Sequence, residues 1–107
     1  MFGSLIKTLE DRGRGIHGYG AVAQAAYACA AADPARAVAY YLLGRQAEDF
    51  VDINERMPVP AHVLDAMFER FSASARALDA AYEAGDAAAL LDLLNRTALD
   101  AVTDRNN

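Results

Sequence analysis

The residues able to do chemistry fall into three small groups. The first is the hexapeptide GRGIHG, Gly13 to Gly18, which has the G-x-G-x-x-G spacing of a phosphate-binding turn and carries His17. In a dinucleotide site such glycines follow a strand and let backbone N–H groups approach a pyrophosphate at a helix N-terminus. An acidic residue roughly 20 positions further on then holds the ribose. Here the preceding segment has Leu5, Ile6 and Leu9 on one side and Lys7, Glu10 and Asp11 elsewhere, which reads as helix. No strand is expected anywhere. The glycines are therefore read as conformational, permitting a sharp reversal and close passage over the helix that follows. Arg12, Arg14 and His17 make this the most cationic part of the chain and leave room for weak anion or partner contact.

The second group is acidic. Glu48, Asp52 and Glu55 stand at i, i+4 and i+7, with Asp49 beside them. A di-iron carboxylate bundle would add Glu-x-x-His pairs from two helices, and the chain has none. The group is read as a solvated face opposite the Leu43–Phe50–Ile53 stripe, so no metal and no cofactor is expected. The third group is scattered: His17, His62, Ser4, Ser72, Ser74 and Cys29. No nucleophile is placed beside a base, and a lone cysteine among alanines reads as a small inert thiol. A catalytic role is not expected.

Five helices must position whatever these residues do. The expected fold is all-α, a small bundle ending in an antiparallel helical hairpin, with residues 1–107 forming one domain. Residues 1–12 form an amphipathic arm that Ser4 could cap, and 104–107 form a frayed tail. Glycines 13, 15, 18 and 20 break the chain before an alanine-rich helix, Tyr19 to Ala32. With so few bulky side chains, that helix suits a central, closely crossed position. Asp33-Pro34 restarts the chain, aspartate as N-cap and proline at the first helical position. The third helix, Pro34 to about Arg56, carries Ala39, Leu43, Ala47, Phe50, Ile53 and Met57 as one stripe. "RMPVPAH" is a hinge, since proline pushes Met57 and Val59 towards extended backbone. Helix four, Pro60 to Ala84, has Leu64, Met67, Phe68, Phe71, Ala75, Leu78 and Tyr82 near heptad spacing. Gly85 and Asp86 then join it to a fifth helix, Ala87 to about Thr103, with Leu90, Leu91, Leu94, Ala98, Ala101 and Val102 inward.

Composition narrows the function classes. A net charge of −5 disfavours a domain that binds nucleic acid by neutralising phosphates. The apolar run from Gly20 reaches only to Asp33, short of the roughly 20 residues needed to span a bilayer, and it follows a charged helix rather than a basic leader. A cytoplasmic protein is expected. Arginine in preference to lysine, together with abundant alanine, matches GC-rich bacterial coding.

The segment Ala37 to Leu43 is the main functional lead. Val38, Tyr40, Tyr41, Leu42 and Leu43 wrap most of a helix, more apolar surface than one small chain readily covers. Tyr40 and Tyr41 point about 100° apart, so one can pack inward while the other anchors an interface. This predicts a non-catalytic protein that binds another protein, with a homodimer expected. The alternative is a small-ligand or enzymatic bundle using the glycine loop around His17.

One stretch carries a resemblance. GRQAEDFVDINERMPVPAHVLDAM, Gly44 to Met67, is similar to the helix–Pro-x-Pro–helix core of the small anti-sigma factors of the alphaproteobacterial general stress response. The resemblance implies two proline-bridged helices that clamp a sigma factor, with Gly44, Arg45, Pro58, Val59, Pro60, Leu64 and Asp65 at the matching positions. It covers about a quarter of the chain. The family's intervening aromatic is displaced, Phe50 being nearest, and the long flanking helices are foreign to it. A looser likeness, to flagellar export chaperones, rests on GYGAV and DPARAVAYYLLG.

Overall fold

The computed structural model describes the backbone of residues 1–106 and the side chains of residues 1–103. Its elements in chain order are α1 (Gly3–Arg12), α2 (Ile16–Ala32), a 3-10 turn (Pro34–Arg36), α3 (Ala37–Asn54), α4 (Ala61–Ala84) and α5 (Ala87–Asn106). The fold is all-α, and the described residues form no strand.

Two of the four glycines do what was expected of all of them. Gly13 takes φ 92°, open to glycine but strained for any other residue, and Gly15 is extended; between them they end α1 and start α2. Gly18 and Gly20 lie inside α2, which starts three residues earlier than the sequence suggested. Gly18 has a separate reason to be glycine. A Cβ there would run into the backbone carbonyl of Gly13, so its absence lets the reversal fold back onto the helix. Arg14, on the same turn, lays its guanidinium 3.6 Å from the centre of the Phe68 ring and pins the turn to α4.

The other caps divide. Gly85 is left-handed at φ 71°, and the Asp86 carboxylate accepts the Ala89 N–H at 3.1 Å, so that join forms as read. Asp33 does not cap with its side chain; its carboxylate instead accepts from Arg36 at 3.0 Å. The Pro34–Arg36 turn delays α3 to Ala37, and α3 stops at Asn54 instead of Arg56. Ser4 sits within α1 and bonds the Met1 carbonyl rather than capping. At the other end α5 continues through Asn106 instead of fraying from 104, while Asn107 lies outside the described residues.

The core lies between α2 and α3, which form the most extensive pairing, and is closed by α1 and α4. Alanines 23, 26, 39 and 47 are buried there, beside Val22 and Leu43. Tyr19 fills the centre, edge-on to Phe50 at 4.9 Å and to Phe71 at 6.1 Å. The N-terminal arm packs on its own bundle. Phe2, Leu5 and Leu9 are fully buried, the Phe2 ring meets Tyr40 edge-on at 4.8 Å, and the Phe2 N–H donates to Asp79 at 3.0 Å.

Two expected core positions of α3 are not core: Ile53 and Met57, at the far end of the stripe, are exposed. They lie where the helix comes to its end before Pro58, so the stripe outruns the surface it packs against. On α5 the inward arc is rotated: Leu90, Leu93, Leu94, Ala98 and Ala101 are half-buried, while Leu91 and Val102 face solvent.

The two internal glycines of α2 give a paired test. Gly18→Ala should lower the unfolding free energy by about 1–3 kcal/mol through overpacking. Gly20→Ala has nothing within 4 Å of the new Cβ and should raise it by about 1 kcal/mol or less through helix propensity. Denaturant midpoints moving the same way would contradict the assignment.

Candidate functional site

Turning Ala39, Leu43, Ala47 and Phe50 inward leaves Val38, Tyr41, Leu42 and Arg45 on the outer side of α3 at i, i+3, i+4 and i+7. Val38 and Tyr41 are 56% and 53% exposed, and Leu42 and Arg45 are half-buried. Tyr40 goes the other way, only 6% exposed against Phe2. Of the two tyrosines, only Tyr41 is a surface residue, and Tyr40 is corrected to core. The apolar circumference of Ala37–Leu43 is thus largely covered within the chain.

A residue that sequence reasoning did not single out completes the patch. Tyr27 of α2 lies across Gly44, where a Cβ would stand 2.5 Å from its Cε1 and 2.9 Å from its Cδ1. Glycine at 44 is what lets the ring rest on the α3 backbone. The rings of Tyr27 and Tyr41 are 6.1 Å apart with planes 38° from parallel. Next to them Arg45 donates to Glu48 at 3.2 Å and to Asp49 at 2.8 Å. The signal available in sequence was thin: Tyr27 is a lone bulky residue in an alanine run.

The electrostatics favour holding protons over moving them. Burial, followed by its hydrogen bond to Glu48 and that carboxylate's charge, pushes Tyr27 up to about 12 from its ordinary 10.0, although Arg45 pulls it down. Desolvation works against the Arg45 charge, but Asp49, Tyr27 and Glu48 outweigh it, and the guanidinium is held more firmly than usual. A phenol that keeps its proton so tightly is a hydrogen-bond donor at neutral pH, and an arginine shared by two carboxylates is already engaged. The patch offers an aromatic surface with a polar border.

The remaining candidates lie elsewhere. Pro58 and Pro60 are exposed, while Val59 and Leu64 are half-buried against the core, and Asp65 faces solvent. This group sits beyond the C-terminal end of α3, whose 18 residues span about 27 Å. Of the residues carried over from the anti-sigma resemblance, Pro58, Val59, Pro60, Leu64 and Asp65 are therefore separated from the Val38–Tyr41 patch, whereas Gly44 and Arg45 border it. Within that motif Gly44 seats a ring and Arg45 closes an ion-pair triad. Glu48 and Asp49 are drawn into that triad, while Asp52 and Glu55 are exposed; no group of three potential metal ligands occurs among the described residues.

His17 faces solvent on the first turn of α2, and Arg14 is occupied by Phe68. Cys29 is half-buried and free. Two buried hydroxyls, Tyr19 and Ser72, have no hydrogen-bond partner among the described residues. A shallow cleft of about 220 Å³ between α3, α4 and α5 is edged by Leu42, Gln46, Arg70 and Asp100.

Tyr19 is also raised to about 12 from 10.0, by burial first, with Arg14 opposing. The unfolded chain loses these two phenolic protons near 10 and the folded chain keeps them until about 12. Their contribution is complete below pH 10 and is lost as the pH rises to 12. Unfolding free energy measured across that window should fall with pH, and Tyr19→Phe and Tyr27→Phe should each flatten the slope. An unchanged slope in both variants would contradict the burial described.

Comparison with protein-family models, curated proteins and solved structures returned no match to the chain, so the likeness of Gly44–Met67 to anti-sigma factors gains no support from them.

Proposed function

We propose that the protein acts by binding another protein, as an adaptor or regulator that performs no chemistry of its own, with Tyr41 as the principal anchor. The supporting observation is the exposure of Tyr41 and Val38 beside the Tyr27 ring, with the Arg45–Glu48–Asp49 triad as a polar border. Large, rather rigid aromatic residues flanked by engaged charges are the composition of interface hot spots. A sigma factor is the partner class suggested by the Gly44–Met67 resemblance, and a cytoplasmic setting belongs to the same reading. The alternative, a ligand-binding or enzymatic bundle built on the loop around His17, has less to rest on. That loop is three residues long, its arginine lies on Phe68, and its histidine points into solvent.

The test is a partner captured from the native cell, purified, and titrated against the protein. Tyr41→Ala should weaken binding by about thirtyfold, the scale of an anchor residue worth 2 kcal/mol. Glu55→Gln, exposed just past the C-terminal end of the same helix, should leave it unchanged. Equal affinity for wild type and Tyr41→Ala would remove Tyr41 from the interface.

A further inference from the structure

An apolar surface not yet accounted for lies on α5. This helix contributes no fully buried side chain among its described residues, and it rests in the groove between α3 and α4 on half-buried Leu90, Leu93, Leu94, Thr97 and Ala101. Its opposite side carries Leu91, Leu99 and Val102, exposed by 59%, 64% and 57%. Ala88 and Asn95 lie on the same side and are exposed too.

The spacing of these residues has a symmetry that an ordinary solvent face does not need. Leu91 and Leu99 stand four residues before and after Asn95, and Ala88 and Val102 stand seven before and after it. At 100° per residue, all four point within about 40° of the Asn95 direction. Two such helices laid antiparallel about a two-fold axis through Asn95 set each Leu91 opposite the Leu99 of the other copy, and each Ala88 opposite the other Val102. The same patch meets itself, as an isologous interface requires.

Charge agrees with that register. Asp92 and Arg96 sit on one flank of the stripe, and in the single chain they pair with each other at 3.0 Å while largely exposed. A two-fold axis through Asn95 keeps them on the same flank and brings each Arg96 within about one turn of the Asp92 in the second copy, so that two ion pairs are shared across the seam. Asn95 itself is placed to meet its own counterpart, and a single polar residue in an apolar seam is a device that fixes register. Leu99 and Arg96 also edge a groove between α5 and α4 whose other wall includes Ala73 and Ala77, small enough to let a second helix settle close.

We infer that α5 pairs antiparallel with α5 of a second copy of this chain, about a two-fold axis at Asn95. The inference rests on the reading that the protein works by protein contact and names one of its partners. A seam of one helix pair and the edge of α4 falls at the small end of stable interfaces, near ~1,200 Å² in total, so the dimer forms and dissociates with concentration.

Sedimentation velocity on the full chain over two decades of concentration tests it. The mass should rise from 11.4 kDa towards twice that value, and Leu99→Glu should move the transition at least about tenfold higher. Leu99 is a surface residue, so helicity by circular dichroism should not change. Asp92→Arg alone should weaken the dimer, and the charge-swapped pair Asp92→Arg with Arg96→Asp should restore it. In a Cys29→Ser background, Asn95→Cys should cross-link to itself on mild oxidation, whereas Leu91→Cys should cross-link only when mixed with Leu99→Cys. A monomer at every concentration, or a dimer indifferent to Leu99→Glu, overturns the proposal. Partner binding that depends on Tyr41 in a chain that stays monomeric sinks this proposal alone and leaves the protein-binding reading intact.

Discussion

The close crossing of α2 and α3 is the contact on which the rest of the molecule depends. Small residues make it possible: Ala23 and Ala26 of α2 and Ala39 and Ala47 of α3 are buried, and Gly44 lets the Tyr27 ring rest on the α3 backbone. Close backbones give alanine dispersion contacts that its small apolar area alone would not supply. They also leave little room for large side chains between the helices. The bulky residues are forced to the two ends and the outer edges of the pair, where Tyr19 is covered by Phe50 and Phe71, and Tyr40 by Phe2. Tyr27 is displaced to the edge by the same geometry, and that displacement produces the aromatic patch with Tyr41.

Closure of the far end falls to the first residues of the chain. Phe2 enters between Tyr40 and Tyr82, with ring centres 4.8 and 5.8 Å away, while Asp79 takes its N–H and lies 3.7 Å from the amino terminus. The arm is consequently a structural plug. Fully burying a phenylalanine contributes about 1.5–3 kcal/mol, a large share of the margin of a small bundle. What looked like apolar excess around Tyr40 is what this plug covers.

Local features carried well from sequence. The Gly85–Asp86 join, the conformational reading of the glycine turn, the inward run Met67–Phe71–Ala75–Leu78 and the divergence of Tyr40 from Tyr41 all depend on neighbours within one or two turns. The errors arose where a distant element decides. A stripe along α3 does not say where α3 stops, so Ile53 and Met57 were placed in a core they overshoot. Leucines 90, 91, 93 and 94 spread over an arc of about 160° on α5, and only the position of α3 and α4 selects the part that turns inward. Tyr27 could not be found from its surroundings in the chain, because what makes its place is a missing Cβ 17 residues later. Phe2 continues the Leu5–Leu9 spacing from just outside α1, and only Tyr40 and Tyr82, far along the chain, show that it is buried.

The two proposed contact surfaces do different work by their form. The α3 patch is lopsided, with an aromatic pair on one side and an arginine claimed by two acids on the other, and nothing in it matches itself under a two-fold rotation. The α5 stripe is self-matching in both apolar spacing and charge. A lopsided patch suits a partner of another sequence, and a symmetric stripe suits a copy. They also lie on opposite flanks of α3, since Tyr41 touches Tyr27 of α2 whereas Leu42 edges the cleft that α5 closes. Pairing through α5 therefore leaves both Tyr41 surfaces open, and a dimer would present them together. Two weak contacts on one partner assembly then act at a high effective concentration, which is how a protein of this size can hold a partner firmly with a patch only a few residues wide.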